Sequence, residues 1–494
     1  MNLTRPFLHA IALTATSAAH GATFTVDQLG DGGTGSLRDA IAKANATAEA
    51  DTIQFQAGLQ GTIDLTGGEL VVTGSVGIVG PGASRLAIDA NGRSRVFRFD
   101  NPTAAERTWA ISGMTVTRGT ATSANGDSGG GLFYENPASS STRPSLTLGG
   151  VVFSANQAAR KGGAISVSGA NLTLVGVTMN GNDASGGFQP SGGGLYLDRG
   201  LLQMDRSRVI DNTAQLTGGG IRLAPPGISA VITDSLIQGN SASLSGGGIQ
   251  AGTMKSLRIS RSTFAGNAVT SQTEGGGLYF DGVTDAGSPE NVVENSTFSG
   301  NRSQHQSGRG SAIAVAQGNL TVRNSTFAFN ATAPDTAPGS NAGGALWVAN
   351  GTGTRVTVQS TLFSRNTHGN AGASLDLTRL TGIPESTLVA DHNLFQTTPA
   401  IGVLTSGSAN IEGDARVQDL TLADGGLTPV LPIPSDSPAV DAGSNPGALT
   451  TDQRGGRFVR TIDSDPCHRP LVNVTDIGAY EVRADSIFCY GFND

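Results

Sequence analysis

Five charged residues in the C-terminal part of the chain are of the types that build ligand or metal sites: Asp441, Asp452, Arg454, Asp476 and Glu481. Carboxylates are the groups that hold calcium, so these residues could form a calcium or ligand site. They could instead form an arginine–carboxylate network with turn contacts. We favour the second interpretation, in which the network caps the end of the fold.

A second candidate is the tripeptide Asp391-His392-Asn393, which resembles part of a pectate-lyase motif. The resemblance implies catalytic roles for Asp391 and His392 on an acidic polysaccharide. Such a site also needs a calcium-binding acidic cluster and a catalytic arginine, and no acidic cluster lies nearby in the sequence. Hydrolases of the polygalacturonase type need paired carboxylates, but the chain has neither an adjacent Asp pair nor a Gly-His-Gly motif. We therefore expect a variant turn at His392. Polysaccharide lyase or glycoside hydrolase activity in a β-helix groove is the alternative function.

Three aromatic residues, Tyr196, Tyr279 and Trp347, directly follow glycine-rich motifs, and Tyr134 lies one place later relative to its motif. Aromatic rings that share one outer face can stack on sugar rings. These residues are therefore candidates for carbohydrate binding without cleavage. Packing in the core or at an edge is the interpretation that we favour for them.

Most of these candidates lie in or beside a repeat of two alternating motifs. The first is a glycine pair, a small residue and an apolar residue, whose apolar positions lie 26 to 35 residues apart. The copies of this motif begin at Gly129, Gly162, Gly192, Gly218, Gly246, Gly275, Gly310 (degraded) and Gly343. The second is an apolar residue followed three places later by Asn, as in Phe153 and Asn156. Its asparagines are Asn156, Asn182, Asn212, Asn240, Asn267, Asn301, Asn330 and Asn366.

Short runs of alternating apolar and polar residues separate the motifs, which indicates strands with one buried face. A repeat of this length with about three short strands, bent at Gly and Asn, is typical of one coil of a β-solenoid. We predict an all-β fold: a single-stranded right-handed parallel β-helix of the pectin-lyase-like kind with roughly twelve coils. Equivalent residues then stack at about 4.8 Å. The eight asparagines form a structural ladder of side-chain hydrogen bonds.

The sequence also indicates how the chain is organised around the repeats. We expect a signal peptide over 1–22, an N-terminal cap over 23–50, repeats over 51–400, C-terminal coils and a cap over 401–482, and a tail over 483–494. Leu37, Ala40, Ile41 and Ala44 have helical spacing and predict a short capping helix, and the strand-like Thr52–Phe55 starts the first coil. Cys467 and Cys489 are the only cysteines, and we expect them to form one disulfide.

Three segments resemble known bacterial families. The segment from Thr25 through Gly35-Ser36-Leu37-Arg38-Asp39-Ala40-Ile41 resembles the "CSLREA" leader of surface β-helix proteins, with Gly35 in place of its cysteine. The alternating glycine and Phe-x-x-Asn motifs are similar to the repeats of chlamydial polymorphic outer-membrane proteins. Ser437–Gly443, Thr451–Gly455 and Asp476–Glu481 resemble the choice-of-anchor Q domain of secreted bacterial proteins. The resemblances imply a surface location, and the chlamydial repeats imply an adhesin-like role.

Composition excludes some functions. The chain has 71 glycines among 494 residues, only 14% charged residues and a net charge of −8. Its three lysines are scattered, and without a basic cluster nucleic-acid binding is not expected. No apolar stretch is long enough for a transmembrane segment. We predict a non-enzymatic, adhesin-like or glycan-binding monomer without cofactor or metal. We expect it to be secreted or held at the bacterial surface or outer membrane, where its partner would be a glycan or the surface of a host or neighbouring cell.

Overall fold

A computed structural model describes residues 21–102, 105–124, 126–136, 143–271, 274–283, 290–333, 343–369, 373–380, 386–397, 399, 403–461 and 474–483. Most of the predicted signal peptide, both cysteines and most of the predicted tail lie outside these residues. The described chain is a parallel β-helix of about twelve coils, which confirms the predicted fold class. Most coils visit four sheets, and their strands pair in parallel with the equivalent strands of the next coil. The antiparallel pair Thr367–His368 and Ala373–Ser374 is an exception at the end of the third sheet.

The first and second sheets meet at a short corner in every coil. The first sheet consists of Thr23–Val26, Asp51–Phe55, Val76–Val79, Thr108–Ser112, Ser145–Gly149, Asn171–Val175, Leu201–Asp205, Ser229–Thr233, Ser256–Ser260, Val292–Glu294, Asn319–Arg323, Arg355–Gln359, Thr387–Asp391 and Ser406–Ser408. The second consists of Gly61–Asp64, Leu86–Asp89, Thr115–Thr117, Val152–Ser154, Thr178–Asn180, Arg208–Ile210, Leu236–Gln238, Thr263–Ala265, Thr297–Ser299, Thr326–Ala328, Leu362–Ser364, Leu394–Phe395 and Ile411–Glu412.

The third and fourth sheets complete each coil on either side of the glycine motif. The third has two-residue strands: Thr120–Ala121, Gln157–Ala158, Asp183–Ala184, Thr213–Ala214, Ser241–Ala242, Ala268–Val269, Arg302–Ser303, Ala331–Thr332, Thr367–His368 and Ala373–Ser374. The fourth consists of Leu70–Val72, Phe97–Phe99, Leu132–Glu135, Ile165–Ser168, Leu195–Asp198, Ile221–Ala224, Ile249–Met254, Leu278–Gly282, Ile313–Gln317, Leu346–Val348 and Leu377–Arg379.

Alternation in the sequence becomes a filled interior because inward residues stack on their equivalents in the next coil. The best example is a column of five phenylalanines on the second sheet, Phe264, Phe298, Phe327, Phe363 and Phe395, whose neighbouring ring centroids lie 4.5 to 5.2 Å apart. These rings are nearly parallel and buried. The spacing matches the strand repeat of about 4.8 Å, so each coil contributes one ring to a continuous core.

The corner at the glycine motif requires glycine for two reasons. The first glycine of the motif has a positive φ, as at Gly218 (65°), which a side chain rarely tolerates. The second lies against the next coil: a Cβ on Gly219 would meet the carbonyl oxygens of Ser241 and Gly247 at 2.4 Å. Only glycine therefore lets neighbouring coils approach this closely at the corner.

The N-terminal end carries the predicted helix, Leu37–Asn45, capped by the Ser36 side chain, which accepts a hydrogen bond from the Asp39 N–H. Its apolar side is buried. The helix does not precede the first strand of the solenoid. Thr23–Val26 already pairs in parallel with Asp51–Phe55, so the helix connects two neighbouring strands of the first sheet.

The C-terminal segment, defined here as residues 413–461 and 474–483, lies along the side of the solenoid and not only at its end. It contains one short 3₁₀ helix, Ala423–Gly425. Its apolar residues form a second core with outward residues of the second sheet: Ala328, Leu362, Leu394, Ala415, Val417, Leu431, Ile433, Ala439, Ile477 and Val482. The segment therefore covers the outer face of the second sheet in the later coils.

Candidate functional site

The eight asparagines predicted to form a ladder lie at the corner between the second and third sheets, and all are buried. Each Nδ2 donates to the Oδ1 of the asparagine in the next coil, over 2.8 to 3.0 Å, from Asn156 to Asn366. The same Nδ2 also donates to a backbone carbonyl of the preceding coil, such as Val209 for Asn240. These residues have structural hydrogen-bonding duties.

The ladder ends on an acid. Asn366 Nδ2 donates to Oδ1 of Asp376 over 3.0 Å, in the place where another asparagine oxygen would stand. Burial raises the pKa of the Asp376 carboxyl to about 6, although hydrogen bonds from Asn366 and from backbone amides oppose the shift. Asp376 was not singled out from the sequence, since no motif surrounds it.

A second hydrogen-bonded column, missed in the sequence, lies at the corner between the first and second sheets. Ser207, Ser235, Ser262 and Ser296 each donate their backbone N–H to the next hydroxyl in the column, which ends at Ser325. The residue before each of these serines has a positive φ: Arg206, Asp234, Arg261, Asn295 and Asn324. The available signal was a serine two places before the apolar residue of the Phe-x-x-Asn motif.

His392 occupies this same corner, two coils beyond Asn324. Its φ of 53° matches that of the residues preceding the serine column, and Asn393 continues the column by accepting from Thr361 N–H over 2.9 Å. His392 Nδ1 lies 3.0 Å from Asp391 Oδ2. Burial would raise the pKa of Asp391, but hydrogen bonds from Ser408 and His392 outweigh it and lower that pKa. The tripeptide forms a turn, and no described arginine pairs with Asp391.

The C-terminal charged residues form a buried network. Arg454 Nη2 lies 2.6 Å from Asp452 Oδ2, and its guanidinium stands over the rings of Tyr480 and Phe458, 3.9 and 4.1 Å from their centroids. Asp476 accepts backbone hydrogen bonds from Asp441 and Val482. The network therefore fixes turns of the C-terminal segment through arginine and backbone donors.

Burial dominates the electrostatics of this network. It raises the pKa of Asp476 to about 6 and also raises the pKa of Glu481, although Arg460, 3.5 Å away, opposes the shift. Within the described part of the chain, no group of three or more His, Cys, Asp or Glu side chains is arranged to hold a metal ion. The acids are held by arginines and amides instead.

The network contacts the solenoid from the side. Gln453, between Asp452 and Arg454, donates to Thr263 Oγ1 over 2.8 Å and accepts from Thr297 Oγ1 over 2.6 Å. Ala479 N–H donates to Thr326 Oγ1 over 2.9 Å. These three threonines are equivalent outward residues of neighbouring coils. The network therefore fastens the segment to the second sheet, a position that the capping interpretation did not include.

The aromatic candidates lie on the outer face of the fourth sheet. Strand register places one column of residues there, one per coil: Phe133, Ser166, Tyr196, Arg222, Gln250, Tyr279, Ala314 and Trp347. Phe133, Tyr196 and Tyr279 are partly exposed. Trp347 is buried, with Arg309 5.0 Å from its ring centroid, and Tyr134 points into the core against Trp109. Tyr196 and Tyr279 are thus the candidates that remain accessible.

A cleft of about 300 Å³ opens beside Tyr196 on this face. It is lined by Arg160, Lys161, Gln189, Ser191, Tyr196, Leu216, Thr217, Arg222 and Leu244. Lys161 Nζ lies 4.7 Å from the Tyr196 ring centroid. Sequence inspection found Tyr196 but missed these cations, because Arg222 lies about sixty residues from Arg160 and only the coil register brings them to one cleft.

Comparison with known proteins gives one family match. The Chlamydia polymorphic membrane protein repeat matches residues 150–168, which contain one copy of each motif. The predicted likeness to these repeats is confirmed. The likeness of the C-terminal motifs to the choice-of-anchor Q domain stays a prediction. No curated protein matches the chain. No helix among the described residues is long and apolar enough to span a membrane.

Several solved β-helices are similar in structure. The A-module of the mannuronan C-5 epimerase AlgE4 of Azotobacter vinelandii is 14% identical, with a TM-score of 0.37, over 71% of this chain and 95% of its own. The lyase Pedsa3628 of family PL6 from Pseudopedobacter saltans is 11% identical, with a TM-score of 0.37, over 81% and 97%. The alginate lyase AlyF-OU02, in complex with G6, is 12% identical, with a TM-score of 0.41, over 90% and 92%.

Proposed function

We propose that this protein is a surface or extracellular β-helix scaffold that binds a glycan on the outer face of its fourth sheet without cleaving it. The observation that carries the proposal is the column in which the partly exposed Tyr196 and Tyr279 flank Arg222 and Gln250. Aromatic rings offer an apolar surface to a sugar, and the guanidinium of Arg222 between them offers hydrogen-bond donors. The match to a polymorphic membrane protein repeat supports a location at the outer membrane or cell surface.

The rigidity of this face supports the proposed adhesin-like role. Neighbouring residues of the column are separated by one strand spacing of about 4.8 Å, and the backbone beneath them is held by parallel strand pairing and by the asparagine ladder. A ligand would therefore meet a surface whose groups are already positioned. Preorganisation lowers the entropic cost of binding.

A glycan array probed with the full chain tests the proposal, followed by titration of the best ligand. Tyr196→Ala and Tyr279→Ala should each weaken binding by about tenfold, the effect of one lost ring contact of roughly 1.4 kcal/mol. Phe329→Ala is the matched control, since Phe329 is a partly exposed aromatic residue beyond a strand of the second sheet. Equal loss in the control variant, or no glycan bound at all, would contradict the proposal.

Cleavage of an acidic polysaccharide is the second candidate function. The observation in its favour is that Lys161 and Tyr196, an amine and a phenol, stand in one cleft with Arg160 and Arg222. β-Elimination of a uronate needs a cation at the carboxylate, a base and an acid, and these residue types can supply them. Incubation with uronate polymers, with and without calcium, should reveal unsaturated ends by ultraviolet absorbance. Activity that is lost in Lys161→Ala and kept in His392→Ala would establish cleavage in place of binding alone.

A further inference from the structure

The cleft beside Tyr196 is cationic. Arg160, Lys161 and Arg222 line it, and its lining residues include no Asp or Glu. None of the three cations forms an ion pair with an acid in the described part of the chain. Further along the same corner column, Arg309 does pair with Glu274, over 3.1 Å. The corner can therefore hold an acid beside an arginine, but the cleft has none.

Two of these cations are incompletely satisfied. Nη1 of Arg222 and Nε of Arg160 are buried and have no hydrogen-bond partner in the structure. Burial lowers the pKa of Arg222, although Tyr196, Tyr279 and Asp281 oppose the shift. A guanidinium that loses water without gaining an acceptor costs free energy. An anion in the cleft would offset part of the cost of burying these positive charges, without contacting the two buried nitrogens themselves.

Packing of the arginine stem explains only part of this arrangement. The guanidinium of Arg222 lies near Pro225 and Gly252, where a Cβ on Gly252 would stand 3.2 Å from Nη1. An aliphatic chain can cover such a surface without a charge. Packing therefore does not explain why three positive charges surround one opening.

We propose that Arg160, Lys161 and Arg222 form an anion-binding subsite that takes the carboxylate or sulfate of an acidic saccharide whose ring lies on Tyr196. This inference rests on the proposed function and names the ligand class. Guanidinium groups suit both anions, because their donors form paired charge-assisted hydrogen bonds. Lys161, whose ammonium group lies over the Tyr196 ring, adds a positive charge beside the position proposed for the sugar.

The charge of the residues on this face changes from positive to mixed along the β-helix axis, and this difference predicts the orientation of a bound saccharide. A smaller cavity shares Arg160, Lys161 and Tyr196 with the cleft but is also lined by Asp127 and Glu135. Carboxylates accept hydrogen bonds from sugar hydroxyls and repel anions. The anionic group should therefore lie among Arg160, Lys161 and Arg222, and a neutral part of the saccharide nearer Asp127 and Glu135.

Paired polymers provide the test. Binding of the full chain is measured for polygalacturonate against its methyl ester, and for dextran sulfate against dextran. The acidic member of at least one pair should bind more than tenfold tighter, with affinity that falls as salt is raised. The two pairs distinguish a carboxylate from a sulfate, and either preference supports the subsite.

Variants assign the effect to the cleft. Arg222→Gln and Lys161→Gln should each lower affinity for the acidic polymer about tenfold or more, while Arg222→Lys should retain more binding than Arg222→Gln. Arg208→Gln, which removes an exposed arginine from the second sheet, should change nothing. Thermal unfolding of each variant checks that the fold is kept.

Two results overturn the inference and are distinguishable from each other. If acidic and neutral members bind equally and Arg222→Gln binds like the unaltered chain, the anion subsite is wrong while glycan binding stands. If no polymer binds and the glycan array is also blank, the proposed function fails with it.

Discussion

Two outer faces of the same solenoid have opposite character. On the second sheet, the later coils present small outward residues such as Thr297, Thr326 and Ala328, all buried beneath the C-terminal segment. On the fourth sheet, the outward column contains large residues, Tyr196, Arg222 and Tyr279, which remain partly exposed. The interiors behind both faces are filled in the same way. The size of the outward residues therefore determines whether a face is covered by another segment of the same chain or stays accessible to a ligand.

The largest expected effect comes from placing a charge beneath the C-terminal segment. Ala328→Arg buries a cation in the second core and should weaken docking of the segment by more than about 3 kcal/mol. Hydrogen exchange of the Ile477 and Ala479 amides measures this local opening. Gln238→Arg is the matched control, because register makes Gln238 the equivalent outward residue of an earlier coil, where its side chain is exposed. Equal protection of the two amides in both variants would contradict the contrast between faces.

Docking should also depend on pH. The pKa of Asp476 rises from its ordinary 3.8 to about 6 because the carboxyl is buried. A raised pKa in the folded state means that stability is fully present below about pH 4 and is lost as pH rises through 6, by up to about 3 kcal/mol. Protection of the Ile477 amide, corrected for intrinsic exchange, should fall over this range. Asp476→Asn should reduce the slope without abolishing it, because burial also raises the pKa of the neighbouring Glu481. An unchanged slope would remove Asp476 as a cause.

Substituting one glutamine on each face compares the contribution of side-chain hydrogen bonds to stability. Gln453→Ala removes contacts with Thr263 and Thr297 and should cost about 2 kcal/mol, because the buried Thr297 hydroxyl loses its acceptor and Thr263 Oγ1 loses a donor. Gln250→Ala, on the fourth sheet, removes a side chain whose Oε1 has no partner, and should cost under about 0.5 kcal/mol. Denaturant unfolding of both variants gives the comparison. The reverse order would mean that the fourth sheet contributes more to stability than its open face indicates.

The smallest effect is expected at Arg222. Arg222→Met keeps the length of the stem but removes a half-buried charge without an acid, so the free energy of unfolding should change by less than about 0.5 kcal/mol or increase slightly. Thermal unfolding measures it. A loss of several kcal/mol would make Arg222 a structural residue and weaken its assignment to a ligand.

The sequence predicted the parts of this fold that depend on like residues stacking. Phe264 and Phe298, or Gly218 and Gly246, recur at corresponding places because each must fit its equivalent in the next coil. Docking on the second sheet could not be predicted in this way. Alternation marks Thr297 and Thr326 only as outward residues, and a small outward residue looks the same whether it faces water or Gln453.

The cationic cleft was missed for a related reason. Arg160 and Lys161 are neighbours in the sequence, but Arg222 lies two coils further on and joins them only through the register of the strands. Unequal insertions between the motifs hide that register. His392 drew attention because its tripeptide resembled a catalytic motif, whereas its backbone conformation places it at an ordinary corner.

The hydrogen bonds from one asparagine side chain to the next all run in one direction along the ladder, and the acid that receives the last of them, Asp376, offers oxygen without an amide hydrogen. The ladder therefore has a donor-to-acceptor direction, and it ends at Asp376. Copies of a coil inserted before Asn366 would inherit a donor and an acceptor at each joint. Extending the ladder beyond Asp376 would require an amide at that position, so Asp376 limits the ladder, while the first and second sheets continue past it to Ser408 and Glu412.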